Sequence, residues 1–182
     1  MPLGFSFMEM LIVLAIIAIL TSVSWPMLRH GVDQSDAMLL QSQLRQAIQQ
    51  GKAWARIYQA PVALCKSADQ QSCVGDWAAG WLIFRDENKD GMIQNQNQIL
   101  GGMQHDANRG MLHWRSFPAY RDSLLFLPTG LMSSDNGTFW YCTSRTMSPW
   151  WALVINRSGR VRVVYPDKKG HIQDDRGSLL MC

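Results

Sequence analysis

The sequence predicts an α+β chain in which one long N-terminal helix lies across antiparallel sheets. Three observations point there. Residues 10–20 are an unbroken apolar run of eleven. Residues 35–60 carry apolar side chains at helical spacing. From Val62 onward that period gives way to short runs rich in β-branched and aromatic residues, divided by turn signals. A helix followed only by such strands gives this class.

The first element carries one acid, Glu9, at the edge of its apolar run. A secretory signal does not fit, because no Lys or Arg precedes Arg29 and no small-residue cleavage site follows. Residues 5–28 supply the ~20 mostly apolar residues of a membrane span, with Glu9, Thr21, Ser22 and Ser24 as polar members. An unpaired acid in such a segment costs a few kcal/mol and calls for a cation. A cut after Gly4 would create one, since the new amino group on Phe5 would lie one helical turn from Glu9. A second copy packed alongside would bring its own amino group to the same acid.

Gly4, Phe5, Ser6 and Glu9, followed by the apolar helix, resemble the signature of the type IV pilins, and Pro26 stands where many pilin helices kink. The resemblance implies a leader over residues 1–4, removed by a prepilin peptidase that also N-methylates Phe5. It implies a transmembrane and filament-core helix over 5–30, held in the inner membrane before assembly, with Glu9 setting the register of neighbouring pilin subunits. Residues 31–182 would form the globular periplasmic or pilus-exposed domain.

Within 35–60, Leu40, Leu44, Ala47, Ile48, Ala55 and Tyr58 mark the face expected to lie on a sheet. Ser35 is the expected N-cap and Pro61 the stop. Trp54 is expected in the core. The strands expected next are VALCK, GWLIF, MLHWRSF, SLLFL, TFWYC, WWALVI and RVRVVY, with turns at KDG, GG, PTG, DNG and RSG.

Four cysteines, Cys65, Cys73, Cys142 and Cys182, suit an oxidising compartment. They allow three pairings; Cys65–Cys73 with Cys142–Cys182 is the most economical. Zinc would want closer pairs or added histidines. DENKDGMIQNQN overlays a calcium loop at Asp86, Asn88, Asp90 and Gly91, but Asn97 stands where the bidentate Glu belongs. Asp, Asn and Gly make such turns without a metal. The four histidines, His30, His105, His113 and His171, fall in no catalytic motif. Neither an enzyme nor a cofactor is expected.

PVALC, a second cysteine, and WAAGWLIFRDENKDG followed by QIL resemble the GspH/FimT group of minor pilins and pseudopilins. That group's fold is an N-terminal helix packed on two antiparallel β-sheets, and the same fold is expected here.

Charge is unevenly placed. Residues 1–144 carry 10 Lys and Arg against 11 Asp and Glu; residues 145–182 carry 7 against 3, a net of +4. In WWALVINRSGRVRVVYPDKKG a hairpin turning at residues 157–159 is expected, with Val161, Val163 and Tyr165 on the core face and Arg160 and Arg162 on the other. Charged edges that resist aggregation would look similar, but here Asp167 is the sole acid of residues 157–169. Gly159, Arg160, Val161 and Arg162 resemble the G-R-x-R motif of the FimT branch, whose members bind DNA in natural transformation. The resemblance implies a double-stranded DNA site at Arg160, Arg162, Gly159 and Arg157, extended by Lys168, Lys169 and Arg145. A structural minor pseudopilin of a type II secretion system would have no need of the basic hairpin. An adhesive or priming minor pilin is the other alternative.

Overall fold

The computed structural model describes residues 7–105, 110–117, 122–133, 136–143, 148–174 and 177–182, with the side chains at 23, 25–27, 29 and 30 left out. Gly4, Phe5 and Arg145 therefore lie outside the described residues. The chain divides within its first helix into two compact units, Met1–Met38 and Leu39–Cys182.

Helix α1 spans Phe7–Tyr58 without a break. Over residues 7–20 its apolar side chains are exposed on every side: Phe7, Met8, Ile12, Leu14, Ile16 and Ile19 are all half exposed or more. A helix apolar all round needs cover from lipid or from other helices. Glu9 is exposed in its first turn. Among the described residues no helix is long and apolar enough to cross a membrane. The expected span over 5–30 reaches beyond the described part, since residues 5 and 6 and the side chains at 23, 25–27, 29 and 30 lie outside it. The hydroxyls of Thr21 and Ser22 donate back to helix carbonyls.

Ser35 does not cap a helix, contrary to expectation. It sits inside α1 and its hydroxyl donates to the Gly31 carbonyl at 2.8 Å, because nothing upstream ends the helix. The stop is as expected: α1 ends at Tyr58, Gln59 takes φ +50°, and Pro61 follows.

In the second unit Leu40, Leu44, Ala47, Ile48 and Ala55 are buried at helical spacing. Tyr58 is not on this face; it is half exposed, with the Arg85 guanidinium 6.0 Å over its ring. Gly51 lets the helix approach closely, since a Cβ there would stand 2.5 Å from the Phe126 ring.

Two four-stranded antiparallel sheets follow. The first has the order β3-β2-β1-β5, from β1 (Val62–Lys66), β2 (Gly80–Arg85), β3 (Ile99–Gln104) and β5 (Ser123–Phe126). The second has the order β4-β6-β7-β8, from β4 (Gly110–Phe117), β6 (Asn136–Thr143), β7 (Trp151–Ile155) and β8 (Val161–Val164). A short pair, β9 (Ile172–Gln173) and β10 (Leu179–Leu180), completes the described chain.

Strand β3 was not expected, because its two glycines read as a turn. They sit mid-strand for reasons of space. A Cβ on Gly102 would collide with the Gln70 carboxamide, and one on Gly101 would stand 3.0 Å from the Trp54 ring. Trp54 is thus half-buried against β3.

Both faces of the first sheet are covered. On one, Phe126 meets α1 at Gly51. On the other, Ala63, Cys65, Leu82, Phe84 and Leu125 form a cluster closed by Cys73, Ile93 and Ile99. The disulfide Cys65–Cys73 (Cα–Cα 5.6 Å) ties the covering loop to β1. In that loop Asp69 accepts from the Ser72 hydroxyl and from two backbone amides, which hold its carboxyl well below the usual range. Asp86 is buried and accepts from the amides of Asp90 and Gly91. Burial pushes its carboxyl up, and those same amides oppose the shift. Its oxygens therefore build the DENKDG turn.

Candidate nucleic-acid interface

Strands β7 and β8 pair antiparallel, Val154 opposite Arg162 and Ile155 opposite Val161. β7 is buried throughout, whereas β8 is the sheet's edge. The turn between them is held by its first residue. Asn156 accepts through its carbonyl from the Gly159 amide at 2.8 Å and through Oδ1 from the Arg160 amide at 2.9 Å. The Ser158 hydroxyl donates to the same Oδ1 at 2.7 Å. Gly159 has φ +68°, the left-handed position that closes a three-residue hairpin loop.

Arg157, Arg160 and Arg162 are exposed. Arg160 and Arg162 are two residues apart, so they share a face, with Cα atoms about 6–7 Å apart. Val161 and Val163 are half-buried, not core, because an edge strand has cover on one side only. Tyr165 departs from the expected core face: the strand ends at Val164, and Tyr165 is 59% exposed, its hydroxyl donating to Gln41 Oε1 at 3.5 Å.

Lys168 and Lys169 are exposed in the turn after β8, at the opposite end of the strand from Arg157. Asp167 accepts there from the amides of Lys169 and His171, each at 2.8 Å. The His171 amide, then that of Lys169, holds its carboxyl below the usual range. The one acid of this segment is thereby committed to its own turn.

Gly159 requires a correction. The resemblance counts it in the DNA site, but it is buried and offers a duplex no surface of its own. Its missing Cβ makes room for Lys52 of α1, whose Cε would stand 3.0 Å from such an atom. The Lys52 ammonium donates to the carbonyls of Ser158 at 3.3 Å and Gly159 at 3.0 Å. Burial, and then the charge of Arg56, lower its pKa. Sequence reasoning missed Lys52 because its partners lie over a hundred positions away and no local pattern marks them.

Arg115 was also missed. The register aligns Arg115, Thr138, Val154 and Arg162 across the four strands of the second sheet. Arg115 pairs with Asp174 at 2.8 Å and lies 5.3 Å over the Trp140 ring. On this same face Trp140, Cys142 and Ala152 are covered by Ile172 and Leu180. The disulfide Cys142–Cys182 (Cα–Cα 5.7 Å) fastens that cover.

The profile of the family described as Type II transport protein GspH matches residues 41–159. Among solved structures, the type IV minor pilin FimU of Pseudomonas aeruginosa aligns with a TM-score of 0.54 at 17% identity, covering 71% of this chain and 89% of FimU. The minor pseudopilin EpsH of the Vibrio cholerae type 2 secretion system aligns at 0.49 and 11% identity, covering 72% and 97%. No curated protein matches the chain. At 17% identity the likeness to FimU speaks for the fold alone, and the family match ends at Gly159, one residue before the paired arginines. By that match and by its helix on two antiparallel sheets, the chain belongs to the GspH family of minor pilins and pseudopilins.

Proposed function

We propose that this chain is a minor type IV pilin whose second unit binds double-stranded DNA without sequence preference during DNA uptake in natural transformation. The observation that carries this reading is the line of exposed cations, Arg157, Arg160, Arg162, Lys168 and Lys169, along β8 and its two flanking turns. Guanidinium groups fork onto phosphates, and a strand edge offers no helix for reading bases. Binding is accordingly weak at physiological salt, about 10⁻⁴–10⁻⁶ M, and steeply salt-dependent. Arg145 belongs to the same basic segment. The role is one of binding and assembly, without catalysis.

The first unit fits filament assembly. Its all-round apolar exposure suits packing among other pilin subunits, after a stage in the inner membrane and processing by the prepilin peptidase between Gly4 and Phe5. Glu9 then pairs with the amino group of Phe5, its own or a neighbour's. Mass spectrometry of the envelope-extracted protein tests this: an N-methylated Phe5 terminus is expected, and an intact Met1 in filament fractions would refute it.

A structural pseudopilin of a type II secretion system is the second reading. It is favoured by the edge position of β8, where charge alone would serve to block strand pairing. The deciding experiment is titration of the detergent-solubilised chain onto a labelled duplex across a salt series, beside transformation assays of a deletion strain. Loss of transformation and salt-sensitive binding are expected. Secretion loss without DNA binding would select the second reading.

A further inference from the structure

Three segments meet beneath the hairpin turn. Lys52 and Arg56 lie one turn apart on α1, and Lys52 holds the carbonyls of Ser158 and Gly159. Arg56 is exposed and lies against Gly130, where an added Cβ would run into the guanidinium. Two residues further along that loop, the Met132 amide donates to the Arg157 carbonyl at 3.2 Å. Arg56 and the Arg157 backbone thus meet the same loop, at Gly130 and at Met132. Among the described residues neither Lys52 nor Arg56 has an acid within ion-pair distance. Two cations one helical turn apart repel each other, and Arg56 is felt at Lys52 in that sense.

We propose that the DNA-binding surface turns the corner of the hairpin and continues onto α1, with Arg56 contacting a further phosphate and Lys52 acting as a positioning residue that seats the turn. The proposal rests on the DNA reading above. Lys52 is not itself a phosphate contact, because its ammonium is spent on two carbonyls. Its half-buried side chain and the buried Gly159 seat the turn on the helix, so that Arg157 and Arg56 can present their charges together. The hairpin alone offers a single strand edge, whereas Arg56 would add a cation carried by α1.

The test uses the full chain in detergent and a fluorescein-labelled duplex, with anisotropy read across a salt series. Arg56→Gln is expected to weaken binding and to reduce the log–log salt slope by about 0.9, the value for one phosphate on B-DNA. Arg56→Lys keeps the charge and is expected to keep the slope. Lys52→Met is expected to weaken binding at the parent's slope and to speed hydrogen exchange of the Gly159 amide, whose acceptor is the Asn156 carbonyl. An Arg56→Gln protein that binds with the parent's affinity and slope, while the parent binds DNA, overturns this inference and leaves the DNA reading standing. A parent that does not bind the duplex overturns both.

Discussion

Replacing both strand arginines, Arg160→Gln with Arg162→Gln, isolates the electrostatic core of the DNA reading. Five exposed cations lie on β8 and its flanking turns. Counting these five alone, with one phosphate each, the log–log salt slope is about −4.5, from about −0.9 per contact. Raising salt from about 50 to about 200 mM then weakens the parent by about 500-fold. With two contacts removed the slope falls to about −2.7, and the same rise costs about 40-fold. Fold stability should hardly change. Both side chains are exposed, and losing an exposed polar or ionic contact costs at most about 1 kcal/mol. The assay is anisotropy of a labelled duplex across that salt range, paired with a thermal melt of each protein. A double variant with the parent's slope and an unchanged melt would refute the reasoning, leaving the arginines as guards of an edge strand. A variant whose melt collapses would refute the claim that they face water.

Gly159→Ala should destabilise the second unit by about 1–3 kcal/mol, measured by urea unfolding, because it places a Cβ at a left-handed φ and against Lys52. Burial lowers the pKa of both His105 and His113. Their neutral forms therefore stabilise the fold above the unfolded value of about 6.5, and that contribution is lost as pH falls through the folded values. Melting scans between about pH 8 and pH 5 should show His113→Phe, which keeps the stack on Trp140, to be less acid-sensitive than the parent; equal sensitivity would refute it. Replacing a cysteine pair with Ala should cost about 2.5 kcal/mol for Cys65–Cys73 and about 4 for Cys142–Cys182, from loops of 8 and 40 residues. Urea midpoints in the reverse order would contradict the loop argument.

Much of the architecture was legible from local pattern. The 3.6-residue spacing of Leu40, Leu44, Ala47 and Ile48 marked the buried face of α1, since a helix repeats its direction within one turn. The alternation in RVRVVY placed Arg160 and Arg162 together on the side away from Val161 and Val163. Both are properties of a few adjacent residues, and no distant contact is needed to read them. The cysteines of the covering loop and of the chain end also paired as their spacing suggested.

Where distant segments meet, pattern was silent or misleading. Gly101 and Gly102 read as a turn, yet they are strand residues whose missing side chains admit Trp54 and Gln70. Ser35 read as a cap, yet α1 runs through it. Tyr58 and Tyr165 read as core, yet one stands past the helix's contact face and the other past the end of an edge strand. Gly159 was counted in the DNA site, and it is the buried floor on which Lys52 rests. Sequence by itself therefore determined which residues form helix and strand, and which side of β8 carries charge, because these follow from the backbone's own periods. Only the tertiary structure decided which cations share a surface. Lys52, Arg56 and Arg157 are joined by packing and hydrogen bonds between segments that stand up to 107 residues apart, and no short-range period encodes such a meeting.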